Sequence, residues 1–314
     1  MPPAQASYSV SVPHSSTHVA DRLLKAISQK RAPVCVGLDP VLDRIPGALL
    51  KADETFLDQN VLAARGLYEF CKEVLGAITA HVPCVKIQSA CFERYGESGV
   101  SMIRRLIARA HRLGLEVILD AKRGDIGISA EHYAAAAFEP GGDSAGGSAA
   151  DWLTINSYLG EDGITPFLRQ GYGAFALVRT SNPGGDSIQN LQLKDGRSVS
   201  YAVGDLIARI GSQHVGTHGY SSLGAVVGAT KREDAAKLRQ IMPQQMFLVP
   251  GYGAQGAGLE DVLPCFKPDG TGAIVTASRS VIYAFKQDDP HWINSVADAA
   301  AKFADDIGRA VGVR

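Results

Sequence analysis

The sequence has few cysteines and no long apolar run, and both scarcities exclude whole classes of protein. Its 314 residues include five cysteines, none in a CxxC pair, so neither a disulfide framework nor a cysteine-rich metal site is expected. No stretch of about 18 uncharged apolar residues occurs, which argues against a membrane-spanning helix. Neither sign of charge is in excess: 31 basic and 32 acidic residues give a net charge of −1, which predicts no nucleic-acid partner.

Several signatures of catalysis and targeting are missing as well. The chain contains no HExxH, GxSxG or P-loop motif. His214 and His218 are four residues apart, but their segment is too rich in glycine for a stable helix, which favours surface histidines over metal ligands. We therefore expect a site without metal or cofactor. The amino terminus lacks the apolar segment of a secretory signal, so we expect a cytoplasmic protein in which residues 1–32 form a flexible extension and a first helix.

What the sequence does contain is a regular alternation of short apolar runs and amphipathic segments. Strands are predicted at 34–39, 84–88, 115–120, 152–156, 174–179, 224–229, 246–250 and 272–277, and helices, for example, at 60–80, 102–113, 201–210, 232–241 and 292–311. Continuous apolar strands joined by helices indicate a parallel sheet that is covered on both faces. Eight such units predict the α/β class, as a single-domain (β/α)₈ TIM barrel over 33–314, with a doubly wound open sheet as the alternative.

Two loops exceed the usual length for this fold class. Glu139–Ala150 is rich in glycine, serine and alanine and is interpreted as a surface insertion. Asn182–Ser198 directly follows the fifth predicted strand. Since the loops after the strands carry the active site of a barrel, this second loop is a candidate lid.

Polar side chains gather where the predicted strands end, which is the active-site rim of a barrel. Lys86 lies in the second strand and Asp120 ends the third, with Lys122 and Asp125 just beyond it. Asp120 and Lys122 are two residues apart and share a face while the strand lasts. Two cations and two anions in a compact array could keep lysines charged and hold a proton donor against a carbanion. The alternatives are a surface ion-pair cluster and a Lys86 side chain that extends to the rim.

A glycine-rich segment follows the seventh predicted strand, PGYGAQGAG at 250–258. Backbone N–H groups in such a loop can surround a phosphate, and the Gln255 amide can donate another hydrogen bond. Arg279 follows the eighth strand and could bind phosphate oxygens with two parallel bonds. The pair predicts a phosphate site at the loops after strands seven and eight.

Taken in order, these segments resemble the orotidine 5′-phosphate decarboxylase family, in its longer bacterial subfamily. The motifs that carry the resemblance are VGLDP (36–40), VKIQ (85–88), DAKRGDI (120–126), SNPGG (181–185), PGYGAQG (250–256) and SRS (278–280). The match runs from about Pro33 to Phe285. Two departures are Ser129, where the family usually has threonine, and INSYLG, where the subfamily usually has VNPYLG.

The resemblance implies a carboxy-lyase that converts orotidine 5′-phosphate to UMP, the last step of de novo pyrimidine nucleotide biosynthesis. It implies a metal- and cofactor-free reaction in a homodimer with shared active sites, to which the partner contributes Asp125. The catalytic residues would be Lys86, Asp120, Lys122 and Asp125, with Lys122 as the proton donor to C6. The substrate-binding residues would be Asp39 for the ribose, Ser181 for the pyrimidine, Gln255 and Arg279 for the phosphate, and also Ile126, Ser129 and Asn156.

Two other functions remain open on the sequence. Sugar-phosphate decarboxylases and hexulose-phosphate synthases share the barrel and the DxKxxD signature, but they need Mg²⁺ held partly by an acidic residue of the second strand. This chain has Lys86 there, which would repel the metal. A non-catalytic nucleotide-phosphate sensor on the same barrel would have no use for buried lysines.

Overall fold

The computed structural model describes residues 17–50, 58–139, 147–253 and 256–313. Its eight strands are β1 Val34–Leu38, β2 Cys84–Gln88, β3 Glu116–Arg123, β4 Trp152–Ile155, β5 Gly173–Arg179, β6 Leu223–Val227, β7 Phe247–Val249 and β8 Ala273–Ala277. Each strand pairs in parallel with the next, and β8 pairs with β1, which closes the sheet. The predicted (β/α)₈ barrel is confirmed, and every strand end lies within two residues of its prediction except that of β3.

The helices lie between and around the strands. The longer ones are α1 Val19–Lys30, α2 Gln59–Ile78, α4 Gly96–Arg112, α5 Gly127–Phe138, α7 Val199–Gly211, α8 Arg232–Ile241 and α11 Trp292–Ala310, and the single-turn ones are α3 Ala90–Glu93, α6 Asp186–Gln189, α9 Leu259–Val262 and α10 Arg279–Ile282. The prediction for 232–241 matches α8. The prediction of a helix at 102–113 was wrong about where the helix begins, because α4 begins six residues earlier, at Gly96.

The barrel interior is apolar in its lower part, because every strand contributes one apolar side chain to the same buried cluster. The members are Cys35, Cys84, Ile118, Trp152, Phe175, Val226, Leu248 and Ile274, which form one cluster with Val19, Ala20 and Leu23 of α1. Helix α1 therefore closes the amino-terminal end of the barrel. Arg22 on this helix forms ion pairs with Glu116 and Asp151. A second, larger cluster fills the space between the strands and the outer helices.

Strand alternation then determines what lies above the apolar layer. Side chains two residues further along a strand point to the same face, one layer nearer the carboxyl end. On β2 this step leads from Cys84 to Lys86, and on β4 from Trp152 to Thr154. On β3 it leads from Ile118 to Asp120. The interior residues at this level are therefore polar on β2, β3 and β4, whereas the same step on β5 leads from Phe175 to the apolar Leu177.

Several predictions fall partly outside the described residues. Of the proposed extension and first helix in 1–32, residues 17–32 are described and contain α1. Of the proposed insertion, 140–146 lie outside the described ranges. All five cysteines are free thiols. No helix among the described residues is both long and apolar enough to cross a membrane.

Candidate active site

A cavity of about 450 Å³ opens at the carboxyl ends of the strands, above the apolar layer. Residues from all eight strands or from the loops that follow them line it: Gly37, Asp39, Lys86, Gln88, Asp120, Lys122, Thr154, Leu177, Thr180, Ser181, Asn182, Val226, Leu248, Pro250, Gly251, Tyr252, Thr276, Ala277, Ser278 and Arg279. Six residues predicted for the site, Asp39, Lys86, Asp120, Lys122, Ser181 and Arg279, are therefore found together here.

Asp120 is the centre of a charged array on the cavity floor. Its Oδ2 atom lies 2.6 Å from Nζ of Lys86, and its Oδ1 atom lies 2.6 Å from Nζ of Lys122. Lys86 is also 3.4 Å from Oδ1 of Asp39. The side chains of Lys86 and Asp120 are 9% and 7% exposed, whereas that of Lys122 is 48% exposed. Lys122 is thus the ammonium group of the array that opens into the cavity.

The array fixes the charge of its two buried members. Burial by itself would raise the pKa of Asp120, but the ammonium groups of Lys86 and Lys122 outweigh it and hold the pKa well below its usual range. Burial would likewise lower the pKa of Lys86, and the carboxylates of Asp120 and Asp39 reverse that effect and raise it. Asp120 is therefore an anion and Lys86 a cation throughout the neutral pH range.

Two further residues contact Asp120, and neither was predicted from the sequence. The Thr154 hydroxyl donates a hydrogen bond of 2.8 Å to Oδ1, and the Gln88 amide donates one of 3.2 Å to Oδ2. Strand alternation is the signal that could have found them, since Thr154 follows Trp152 and Gln88 follows Lys86 on the interior face. All accepting oxygens of Asp120 are used inside the array.

The loop after β5 brings Ser181 to the cavity rim. Gly228, just past β6, permits this approach, because a Cβ atom there would lie 2.7 Å from the backbone of Ser181. Arg179 at the end of β5 is 2% exposed and forms ion pairs of 2.7 Å with Asp186 and 2.6 Å with Asp234. These ion pairs connect α6 and α8 to the end of β5. The lid function proposed for 182–198 stays a prediction.

Arg279 is the first residue of α10, is exposed, and also lines the cavity. Nearby, Gly251 and Gly253 of the glycine-rich segment have φ values of 104° and 69°, which favour glycine. Tyr252 between them also lines the cavity and was not predicted. Gln255 lies outside the described residues.

Four predicted site residues do not line this cavity. Asp125 lies beyond β3, and its Oδ1 atom accepts a hydrogen bond from the backbone N–H of Ile126. Ile126 is 54% exposed, and Ser129 is exposed on α5. Asn156 is exposed after β4 and accepts a hydrogen bond from the backbone N–H of Tyr158. Their roles in catalysis or binding stay predictions.

The chain resembles known proteins over nearly its whole length. Residues 32–288 match the model of the orotidine 5′-phosphate decarboxylase / HUMPS family. An orotidine 5′-phosphate decarboxylase of Rhodopirellula baltica is 36% identical over 299 residues, covering 92% of this chain and 98% of the relative. One of Deinococcus radiodurans is 39% identical over 289 residues, with 90% and 94% covered. The structure of Leishmania donovani OMP decarboxylase superposes with a TM-score of 0.73 at 27% identity and covers 94% of this chain and 99% of that one. Together with the closed barrel and its array, these matches establish that the chain belongs to the orotidine 5′-phosphate decarboxylase / HUMPS family.

Proposed function

We propose that this protein decarboxylates orotidine 5′-phosphate to UMP, a reaction of pyrimidine biosynthesis. The observation that carries the proposal is the Lys86–Asp120–Lys122 array on the floor of a cavity whose mouth carries Arg279. One nucleotide bound in this cavity would place its phosphate at Arg279 and its reacting ring above the array. Family membership supports the same assignment.

The chemistry requires fixed positive charge close to C6 of the pyrimidine. When CO₂ leaves, the electron pair of the broken bond stays on C6, which has no adjacent carbonyl to delocalise it. A preorganised cation stabilises such a charge more than water does, because it needs no reorganisation. Lys122 is the exposed cation of the array, so we assign it the proton that C6 receives. Asp120 holds the Lys122 ammonium group in position, and Lys86 in turn pairs with Asp120. Solvent returns the proton to Lys122 after product release.

The remaining contacts would bind three parts of the substrate: the phosphate, the ribose and the pyrimidine. Arg279, with Gln255, would bind the phosphate, and Asp39 would accept hydrogen bonds from the ribose. Ser181 would contact the pyrimidine, whose ring would lie against an apolar wall. That wall consists of Leu177, Val226 and Leu248. Ile126, Ser129 and Asn156 are proposed as further substrate contacts, although they lie outside the cavity of a single chain.

A homodimer with shared sites would explain that position. Beside Asp125, large apolar side chains are exposed around the rim: Ile126 at 54%, Ile128 at 72%, Tyr158 at 83% and Leu159 at 49%. An exposed apolar patch of this kind is typical of an interaction surface. In a symmetric dimer each copy would cover the patch of the other, and Asp125 would reach the partner's cavity.

The magnesium-dependent reaction of the sugar-phosphate relatives fits these residues poorly. Both oxygens of Asp120 are already bound to lysine ammonium groups, and Lys86 stands where those relatives hold their metal with an acid. Within the described residues no three His, Cys, Asp or Glu side chains are grouped as a metal site requires. A pure sensor is disfavoured because keeping two lysines beside a buried carboxylate costs desolvation that binding alone would not need.

An absorbance assay tests the proposed reaction directly. Purified protein should consume orotidine 5′-phosphate at the same rate with and without excess EDTA, since no step uses a metal. The measurement is the fall in orotidine 5′-phosphate absorbance, with UMP identified as the product. Inhibition by EDTA that Mg²⁺ reverses would favour the sugar-phosphate relatives, and binding of UMP without any turnover would favour the sensor.

Replacing Arg279 by alanine should weaken substrate binding and slow turnover while the fold stays intact. Loss of a charge-assisted phosphate contact is expected to lower kcat/KM by about 10- to 100-fold, equivalent to about 1.5–3 kcal/mol. The matched control is Arg209→Ala, an exposed arginine on α7 that pairs with Glu161 away from the cavity. Steady-state kinetics equal to the wild type for Arg279→Ala would remove this residue from the site.

A further inference from the structure

We infer that Thr154 is a positioning residue whose single hydroxyl sets the geometry of Asp120 and Lys122 together. Thr154 lies on β4 and is 1% exposed. Its Oγ1 atom is 2.8 Å from Oδ1 of Asp120 and 3.0 Å from the backbone nitrogen of Lys122. The inference deepens the proposed function, on which it rests, since it concerns how the proton donor is aimed.

The direction of both hydrogen bonds follows from the groups involved. An ionised carboxylate only accepts, and a backbone N–H only donates. The hydroxyl must therefore donate a hydrogen bond to the Asp120 carboxylate and accept one from the backbone N–H of Lys122, so it connects the side chain of Asp120 to the backbone of Lys122. A threonine hydroxyl has one donor and two acceptor positions, so it meets both demands at once.

The backbone at Lys122 explains why such a connection is needed. Its φ angle is 46°, in the left-handed region that is unfavourable for any residue with a side chain. The pairing of β3 with β4 shifts its register between Leu119 and Arg123, which is an irregularity of the bulge type. Residues in a bulge lose their regular ladder partners. The Thr154 hydroxyl accepts the hydrogen bond of the Lys122 N–H in place of a ladder partner, and it thereby stabilises the left-handed backbone at Lys122.

The left-handed backbone in turn directs the ammonium group. Asp120 and Lys122 are two residues apart, and Nζ of Lys122 reaches Oδ1 of Asp120, the same oxygen that accepts the bond from Thr154. Without the hydroxyl, the N–H of Lys122 loses the acceptor Oγ1, and the left-handed conformation has less support. The ammonium group would then leave its position above the array, which slows proton delivery without changing the distant phosphate contacts.

Thr154→Val tests this, because it removes the hydroxyl and keeps the shape of the side chain. We expect kcat for orotidine 5′-phosphate to fall by about 10- to 100-fold, as for other small misplacements of reacting groups. KM and the affinity for UMP should stay within about twofold of the wild type, since Arg279 is untouched. Thr154→Ser keeps both hydrogen bonds and should recover most of kcat. If Thr154→Val does not fold, Thr154→Cys carries the same expectation, because a thiol is a weaker donor and acceptor.

Thr79→Val is the matched control. The Thr79 hydroxyl donates a bond of 3.1 Å to the carbonyl of Leu113, outside the cavity lining, so this variant loses a threonine hydrogen bond by the same substitution and should keep wild-type kinetics. Near-normal kcat in Thr154→Val, or a loss of UMP affinity as large as the loss of kcat, would overturn the positioning role while wild-type turnover still supports the proposed function. A wild-type protein that does not consume orotidine 5′-phosphate would overturn both.

Discussion

Replacing Lys122 by alanine is expected to abolish decarboxylation while the protein still binds UMP. The variant loses both the cation that stabilises the C6 carbanion and the proton that neutralises it. General acid catalysis and electrostatic stabilisation each contribute about 10²-fold or more, so kcat should fall by roughly 10⁴-fold or more. The measurements are single-turnover conversion of orotidine 5′-phosphate and calorimetric titration with UMP.

The charges that remain in this variant predict a second effect. Asp120 keeps Lys86 but loses the ammonium group on its Oδ1 atom, so its negative charge is less compensated. The C6 edge of UMP carries no charge, so it has no ionic contact with the Lys122 ammonium group to lose. The affinity for UMP should therefore be retained or increased. Lys302→Ala, which removes an exposed lysine from α11, is the control and should change neither quantity. A Lys122→Ala protein with near-normal kcat would show that the DxKxxD segment is only a structural ion cluster.

The fold and the core of the site were predictable because both depend on where the buried parallel strands lie in the sequence. Apolar runs of four to eight residues indicate where a buried parallel strand begins and ends. Once Lys86 and Asp120 are assigned to neighbouring strands, the shared carboxyl-end rim brings them together without any further information. The ion pair between Nζ of Lys86 and Oδ2 of Asp120, 2.6 Å apart, belongs to this predictable part.

Strand alternation places Thr154 on the interior face, but its hydrogen bond with the backbone of Lys122 and the exact end of β3 were not predictable in the same way. The third strand was predicted to end at Asp120, whereas β3 continues to Arg123. This extension depends on the register shift against β4 and on a left-handed residue, and neither has a signal in a local pattern of polar and apolar residues. A hydrogen bond between neighbouring strands depends on register, which only the assembled sheet fixes.

The start of α4 was missed for a related reason. The segment GESG at 96–99 has the composition of a loop, because glycine is a poor helix former. In the structure Gly99 is buried, and a Cβ atom there would lie 1.9 Å from the carbonyl oxygen of Phe92. Close packing against α3 therefore requires glycine in the first turn of α4, and tertiary contact overrides the local propensity.

A mixed dimer made from two inactive variants is expected to regain activity. Asp125 does not line the cavity of its own chain, and it lies beside the exposed apolar rim that we assign to the dimer interface. Lys122→Ala and Asp125→Ala homodimers should each have less than about 1% of wild-type activity, since the first lacks a cation of the array and the second lacks the carboxylate that we propose the partner contributes to it. In the heterodimer one site carries both lesions, while the other combines an intact Lys122 with an intact Asp125. Each heterodimer should therefore have about half of the wild-type activity, by counting over two symmetric sites.

The measurement is the activity of an equimolar mixture after unfolding and joint refolding, with two distinguishable tags to quantify the heterodimer. Random pairing makes about half of the dimers mixed, so the whole sample should reach about a quarter of wild-type activity. The control is Lys122→Ala refolded with a chain carrying both Lys122→Ala and Asp125→Ala, where no site has an intact Lys122 and no activity should return. If tagged heterodimers of the first mixture are present and remain inactive, Asp125 acts within its own subunit, because only a residue contributed by the neighbouring chain can separate the two lesions into different sites.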